Sequence, residues 1–422
     1  MKRIITVLLL IILSVASDLK AQMNIEGDFQ MRWYTDSFSE TRDNRNRENY
    51  TRYLSRLRGS VRASRNITFH TQLSSIIYNE TQSARNIGGT GKMQYVINQL
   101  YSELSESNVL FFDVLRLRAG RQAFGIGNGL SWGESYYYTD KFDGFRADAA
   151  LYDFTLSLFG AITGQNLSES GLYPEPGSDQ IYALRVGREI YNQNVIGYMI
   201  NQKLRGSFND HVIFGGGSTG TFLNERLEYF AEFARQDFNT APGLPAKGGI
   251  GYMGGISYRF PLWLFRSVKV ESRYAAYEGD DKSTPEQEIF SPSYASFFWG
   301  DRFGYVNGEI GGTFPNRGRN RDGSRIWYNR FYVIPAAFPD LRIQLQYLKI
   351  NEYKDNDGYN TFDDELSLRL YYRIYRNTQL QLRYSMSFPN EEDRDINNSG
   401  LLSSSEDRYS YQRFMAELRV VF

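Results

Sequence analysis

Few side chains in this 422-residue sequence are equipped for covalent or metal chemistry. There is no cysteine, and His70 and His211 are the only histidines. Composition therefore excludes disulfides, thiolate nucleophiles, Fe–S ligation and a three-histidine metal site. A hydrolase would need one imidazole beside a serine and an orienting carboxylate. His70 alternates with Phe69 and Thr71, which puts it opposite an apolar file, and His211 opens a strand with no serine partner. An enzyme is not expected. The run Asp355-Asn356-Asp357-Gly358 lacks the spacing and the glutamate of an EF-hand and reads as a hairpin loop. The acidic groups Asp280-Asp281 and Glu391-Glu392-Asp393 are read as solvated loop charges, with a divalent cation bridging them to lipopolysaccharide the one open ligand. Gly215–Gly217 lacks the Gly-Lys-Ser/Thr of a phosphate loop, and no cofactor is implied.

What the sequence does carry is arginine. Basic and acidic residues balance at 48 each, but 38 of the basic ones are Arg and 10 are Lys. The balance gives no reason to expect nucleic acid as a partner. Arg presents a planar fork that takes a carboxylate bidentately, so arginine in excess over lysine points to carboxylate recognition, within the protein or from a solute.

The elements that position these arginines follow a period of two. Leu380, Leu382 and Tyr384 alternate with Gln379, Gln381 and Arg383; Leu366, Leu368 and Leu370 alternate with Ser367 and Arg369. About nineteen such segments recur, at 24–34, 49–62, 66–77, 94–105, 112–123, 142–151, 153–162, 180–189, 192–203, 209–216, 223–235, 247–260, 267–277, 304–314, 325–336, 340–351, 363–373, 377–387 and 408–421. Short turns (Ala63-Ser64-Arg65, Tyr152-Asp153, Phe338-Pro339-Asp340, Arg376-Asn377-Thr378) alternate with long polar loops such as 36–47, 124–141 and 388–407. That alternation is the layout of an outer-membrane barrel with short periplasmic and long external connections. The N-terminus fits export: Lys2-Arg3, an apolar run from Ile4 and the small residues before Gln22 predict a signal peptide over 1–21 and a barrel over 22–422. A C-terminal strand ending on Phe422 suits handling by the outer-membrane assembly machinery.

Both chain ends on the periplasmic side demand an even strand count. Tracing back from Phe338-Pro339-Asp340 makes 304–314 surplus and assigns 278–323 to an excursion, external or folded inward. The expectation is an all-β transmembrane antiparallel barrel of eighteen strands, with sixteen and twenty as the neighbouring counts. Such a barrel is too wide for a dry core, so the inward file is expected to be wet. An Arg on the lipid face costs about 2–4 kcal/mol at mid-depth, which fixes the phase. The lumen file then holds Arg52, Arg56 and Arg58, then Arg116 and Arg118, then Arg146 with Asp148. It continues with Arg185, Arg226 and Glu228, Lys269, Glu271 and Arg273, and Arg330, Arg369 and Arg383. Arg121 and Asp143 flank one external loop and are placed with the constriction. Whether these arginines stiffen a hydrated wall or attract an anion is open at this level.

The stretch Leu115–Gln122, then Phe124-Gly125-Ile126-Gly127, then Phe142-Asp143-Gly144-Phe145-Arg146 resembles the alginate export domain family of outer-membrane barrels. The segment 297–308 is similar to that family's aromatic, glycine-rich segment but lacks the histidine of many members. The resemblance implies an eighteen-stranded monomer with a charged, Arg-rich constriction partly covered by loops. It also implies an anionic saccharide, alginate or another solute, as cargo. The remaining expected partners are outer-membrane lipid and lipopolysaccharide, in a Gram-negative outer membrane. A general diffusion pore and a structural barrel without transport are the rival readings. A plugged nutrient receptor is disfavoured, because nothing before Asn24 supplies a plug.

Overall fold

The computed structural model describes residues 22–41, 44–80, 93–131, 142–163, 179–203, 210–239, 247–279, 287–288, 290, 324–351, 364–388 and 411–422. Its strands are β1 (Gln22–Thr41), β2 (Asn44–Arg62), β3 (Ile67–Glu80), β4 (Met93–Val109), β5 (Phe112–Gln122) and β6 (Phe142–Leu151). There follow β7 (Phe154–Thr163), β8 (Asp179–Ile190), β9 (Gln193–Lys203), β10 (His211–Phe222), β11 (Leu227–Phe238), β12 (Lys247–Phe260) and β13 (Phe265–Tyr277). The last are β14 (Gln287–Glu288), β15 (Ser324–Pro335), β16 (Leu341–Asn351), β17 (Asp364–Tyr375), β18 (Thr378–Phe388) and β19 (Tyr411–Val421).

Each long strand pairs antiparallel with its chain neighbour, and β1 pairs with β19, so the sheet closes. Only β14 stands apart, as two residues parallel to the start of β12, while β13 passes directly to β15. The wall therefore has eighteen strands. Closure leaves no free edge in hydrocarbon, where an unpaired amide has no water to turn to. The seam is sealed by Phe422: its N–H donates to the Gly27 carbonyl at 2.9 Å, and Gly27 N–H donates to the Phe422 carbonyl at 2.7 Å. The Phe422 ring lies over Gly27, where a Cβ would come within 2.4 Å of it.

The alternation resolves into an outward and an inward file as the sequence requires. Outward stand Trp33, Leu57, Phe69, Leu73, Phe145, Leu158, Phe214, Phe233, Ile256, Trp327, Phe331, Leu345 and Leu368, all exposed. Inward stand the polar Asp28, Gln30, Arg32, Arg56, Gln72, Glu271, Gln344, Gln346, Glu365 and Glu417, all buried within the barrel. One irregularity, a bulge between Gln72 and Leu73 opposite β4, turns both Asn98 and Gln99 inward before the alternation resumes.

Four expectations need correction. The loop at 36–47 is mostly strand: β1 and β2 run on to Thr41 and from Asn44. The Gly215–Gly217 run lies inside β10, which extends to Phe222, and Gly215 leaves the space that the Tyr198 ring fills. Arg226 consequently belongs to the Leu223–Arg226 turn and is exposed there, not on a lumen strand. The lumen is also not wet throughout. Phe159, Ala161, Ile181, Ala183, Ile200, Ile213, Ala234, Met253, Ala275 and Ile326 face inward and form an apolar core with Phe124, Ile126 and Leu130. In Phe154–Thr163 the inward file carries Phe159 and Ala161 at its loop end, the sequence signal for an apolar inner surface there. Segment 304–314 lies outside the described residues.

The tight turns carry bulky residues at positive φ: Leu110 (57°), Tyr152 (50°), Tyr191 (50°) and Leu223 (53°). Such residues in the left-handed region cost about 1–3 kcal/mol each. Replacing Gly27 by Val should push Phe422 off the seam, an overpacking cost of about 1–3 kcal/mol. The folded barrel's gel-shift midpoint on heating is expected to fall, and an unchanged midpoint would remove Phe422 from the closure.

Candidate functional site

The register shows which inward charges share a level. On one level Glu103 (β4), Arg118 (β5), Arg146 (β6) and Phe159 (β7) follow each other across the wall. On the next level toward the tight turns come Ser105, Arg116, Asp148, Ser157, Arg185 and Tyr198. Arg118 Nε donates to Glu103 at 2.7 Å, and Arg116 approaches the same carboxylate at 3.5 Å. Arg146 Nε lies 2.8 Å from Asp148 Oδ2, and Ser157 Oγ donates to that carboxylate at 2.7 Å. Arg185 has no carboxylate within ion-pair distance among the described residues, and its Nε is buried without a hydrogen-bond acceptor. Four guanidiniums on this wall thus share two carboxylates.

Elsewhere one-to-one pairs alternate with carboxylates shared by two cations. Arg56 grips Asp28 through Nε at 2.7 Å and Nη2 at 2.5 Å, and Arg32 pairs with Glu417. All four are buried, so these pairs hold the seam rather than face a channel. Lys269 and Arg259 both reach Glu228, and Arg273 and Arg330 both reach Glu271. Arg273 also lies over the Phe230 ring at 5.3 Å. Arg58 donates to Gln72 at 3.2 Å. Arg369 and Arg383 face inward directly opposite each other on β17 and β18. Arg52 is in β2 opposite Arg32; its side chain lies outside the described residues.

Arg121 and Asp143 pair bidentately at 2.8 and 2.7 Å, as their flanking positions suggested. The pair is nevertheless on the outward file. Arg121 opposes Leu100 and Asp143 opposes Ile162, both exposed lipid-side residues. Counting in twos from the inward Arg118 gives the same answer, so this pair belongs to the outer rim and not to the constriction. Of the two histidines, His70 stacks on Tyr101 at 4.7 Å inside the barrel, and His211 packs near Phe238 at 5.2 Å. Among the described residues no group of His, Asp and Glu gathers as a metal site.

A feature that single-sequence reading missed is the loop after β5. Residues 123–131 fold into the barrel instead of outward. Phe124 stacks on Phe159 at 4.1 Å and meets the Arg146 guanidinium at 5.3 Å. A polar clamp holds the loop's far end. Asn128 N–H donates to Glu232 Oε2 at 2.5 Å, Tyr198 OH donates to Glu232 Oε1 at 2.8 Å, and Ser131 Oγ shares a hydrogen bond with Tyr198 OH at 2.9 Å. Gly127, at φ 67°, lies so close that a Cβ would come within 2.5 Å of Glu232. The glycines of Gly125-Ile126-Gly127-Asn128-Gly129 were the available signal; the partner Glu232, a hundred residues on, was not visible. Phe290, from the β13–β15 connection, adds a second inward contact by packing on Tyr277 at 5.7 Å. Below the folded loop, toward the tight turns, opens a cavity of about 1440 Å³ bordered by Arg116, Arg146 and Arg185 and by the carboxylates of Asp148, Asp153, Glu189, Glu225 and Glu228.

Fold and site together define a class, the eighteen-stranded outer-membrane porin fold of Gram-negative bacteria, with an inward loop over a charged wall. The solved structures similar to this chain bear that out. OccK5 (OpdH) of Pseudomonas aeruginosa superimposes with a TM-score of 0.60 at 10% identity, covering 96% of this chain and 99% of its own. OccK9 (OpdG) of the same organism gives 0.60 at 11%, covering 95% and 98%, and OpdO gives 0.59 at 13%, covering 96% and 98%. At such identities the likeness is one of fold. No family model matches the sequence, and no curated protein does either. The alginate-export resemblance therefore rests on its motif residues alone, two of which, Arg121 and Asp143, face outward.

Glu232→Ala removes a charged acceptor from two donors, a loss of about 1.5–3 kcal/mol per hydrogen bond. The loop is expected to leave the lumen, raising single-channel conductance. Conductance equal to the parent protein's would show that the loop stays without its clamp.

Proposed function

We propose that this protein is a passive outer-membrane channel, acting as a single barrel, that prefers anionic solutes carrying carboxylates. The observation that supports it is the unequal wall of β4–β8, where Arg116, Arg118, Arg146 and Arg185 share Glu103 and Asp148. Guanidiniums in excess on these two levels attract an anion by charge and by fork geometry, while Asp153, Glu189, Glu225 and Glu228 also border the cavity. The neighbouring carboxylates keep residence short, which transit through a channel requires. Uronate-bearing saccharides fit this chemistry, with alginate as one instance. The closed ion pairs Arg32–Glu417 and Arg56–Asp28 favour a second reading, a general diffusion pore whose charges only stiffen the wall.

Bilayer reversal potentials under a salt gradient separate the two. A unit charge about 6 Å from the ion path in water is worth roughly 0.7 kcal/mol, about threefold in ion partition. Arg185→Gln should therefore lower the anion-to-cation permeability ratio by about the square of that factor, roughly tenfold, because the anion loses what the cation gains, with a larger effect in dilute salt where screening is weak. Cation preference in the parent protein would overturn the proposal.

A further inference from the structure

The clamp on the inward loop is centred on a carboxyl group in an unusual setting. Glu232 is 3% exposed, and no lysine, arginine or histidine among the described residues lies within ion-pair distance of it. The partners of its oxygens there are uncharged: the Asn128 N–H at 2.5 Å, the Tyr198 hydroxyl at 2.8 Å, and beside them the Leu130 N–H and the Asn128 side-chain amide. Gly127 and Gly129, at φ 67° and 98°, aim the loop amides at one point. The strands packed around it offer Tyr198 from β9, Gly217 from β10, Met253 from β12 and the Tyr277 hydroxyl from β13. Glu228 and Arg273 lie on levels nearer the tight turns. Tyr198 continues to Ser131, and in that contact either oxygen is able to donate.

We infer that Glu232 makes the loop a proton-operated gate: the loop is held in the lumen while this carboxyl group carries a proton and loosens as it ionises. A charge buried without a cation is costly even when amides and a hydroxyl surround it. A proton removes that cost, and the chain of oxygens has a place for it. The acid O–H donates to the Tyr198 oxygen, the Tyr198 O–H turns to Ser131 Oγ, and the other carboxyl oxygen still accepts from the Asn128 N–H. The bonds to Tyr198 and Asn128 survive and no charge remains. Ionisation restores the charge, which pore water solvates better than the clamp does. Phe124 keeps the near end of the loop stacked on Phe159 in either state, so the moving part is Gly127–Ser131. Closure that takes up one proton strengthens by up to about tenfold for each unit the pH falls. The gate is independent of which ion the pore prefers.

The test uses the full chain reconstituted in planar bilayers, with single-channel conductance read from about pH 8 to about pH 4, a span that brackets carboxylate and histidine titration. Conductance is expected to fall in acid. Glu232→Gln cannot ionise, and its amide donates to Tyr198 while its oxygen accepts from Asn128. It should stay at the low, acid-like conductance at every pH. Tyr198→Phe keeps the ring and removes the oxygen that receives the proton, and it should lose most of the acid closure. The loop is followed separately through Leu130→Cys, a single buried thiol in a chain without cysteine. Its labelling rate with dithiodipyridine is taken relative to the same thiol in the Glu232→Gln background, which carries the pH dependence of the chemistry alone. That ratio is expected to rise by up to about tenfold per pH unit as the carboxyl group ionises. A Glu232→Gln channel that opens fully, or one that follows pH as the parent does, would overturn the gate, as would a labelling ratio that ignores pH.

Discussion

Main-chain hydrogen bonding in hydrocarbon is the constraint on which the molecule depends. An amide placed there has no solvent to replace a missing partner, so every strand must be flanked on both sides. The β1–β19 pairing meets that demand over Asp28–Phe38, and the reciprocal bonds between Gly27 and Phe422 finish it at the periplasmic end. Once the ring is closed, the period of two decides every side chain's surroundings. That is why charge on the inward file is tolerated throughout and why the inward arginines could be assigned from sequence.

The interior divides into regions with different electrostatics. At the seam, Asp28, Arg32, Arg56 and Glu417 are paired and buried, and removing one member of such a pair costs about 3–5 kcal/mol. Opposite, the inward file in the extracellular half of β7–β13 is largely apolar apart from Gln202, His211, Glu232 and Gln236, and packs with Phe124, Ile126, Leu130 and Phe290. Between these lies the wall of Arg116, Arg118, Arg146 and Arg185, part-exposed and short of carboxylates.

The strand boundaries and facing were legible because lipid imposes one strong rule on each strand. The eighteen-strand count followed from the turn at Phe338-Pro339-Asp340 and from parity. Partners two residues apart on one strand, such as Arg146 with Asp148, were also within reach. What could not be read were contacts fixed by the third dimension. Glu232 meets Asn128 only because the loop turns inward, and nothing near Glu232 announces that. Arg121 and Asp143 were assigned by their closeness to a loop, and the alternation, a stronger rule, puts them on the outer rim. In β10 the three glycines cut the strand signal short at 216, although Gly215 is there to make room for Tyr198.

The long hairpin of β1 and β2 has a consequence outside the membrane. Among the described pairings, Ser39 and Thr41 meet only Arg45 and Asn44, while β3 begins its pairing with β2 at Tyr50. Among the described residues the outermost stretch is thus a two-stranded ribbon, a shape prone to zip onto an identical ribbon from a neighbouring molecule. The sequence there, Glu40-Thr41-Arg42-Asp43-Asn44-Arg45-Asn46-Arg47-Glu48, is dense in charge of both signs and has no large apolar residue. That composition lets adjacent barrels crowd on a cell surface without stitching into fibrils.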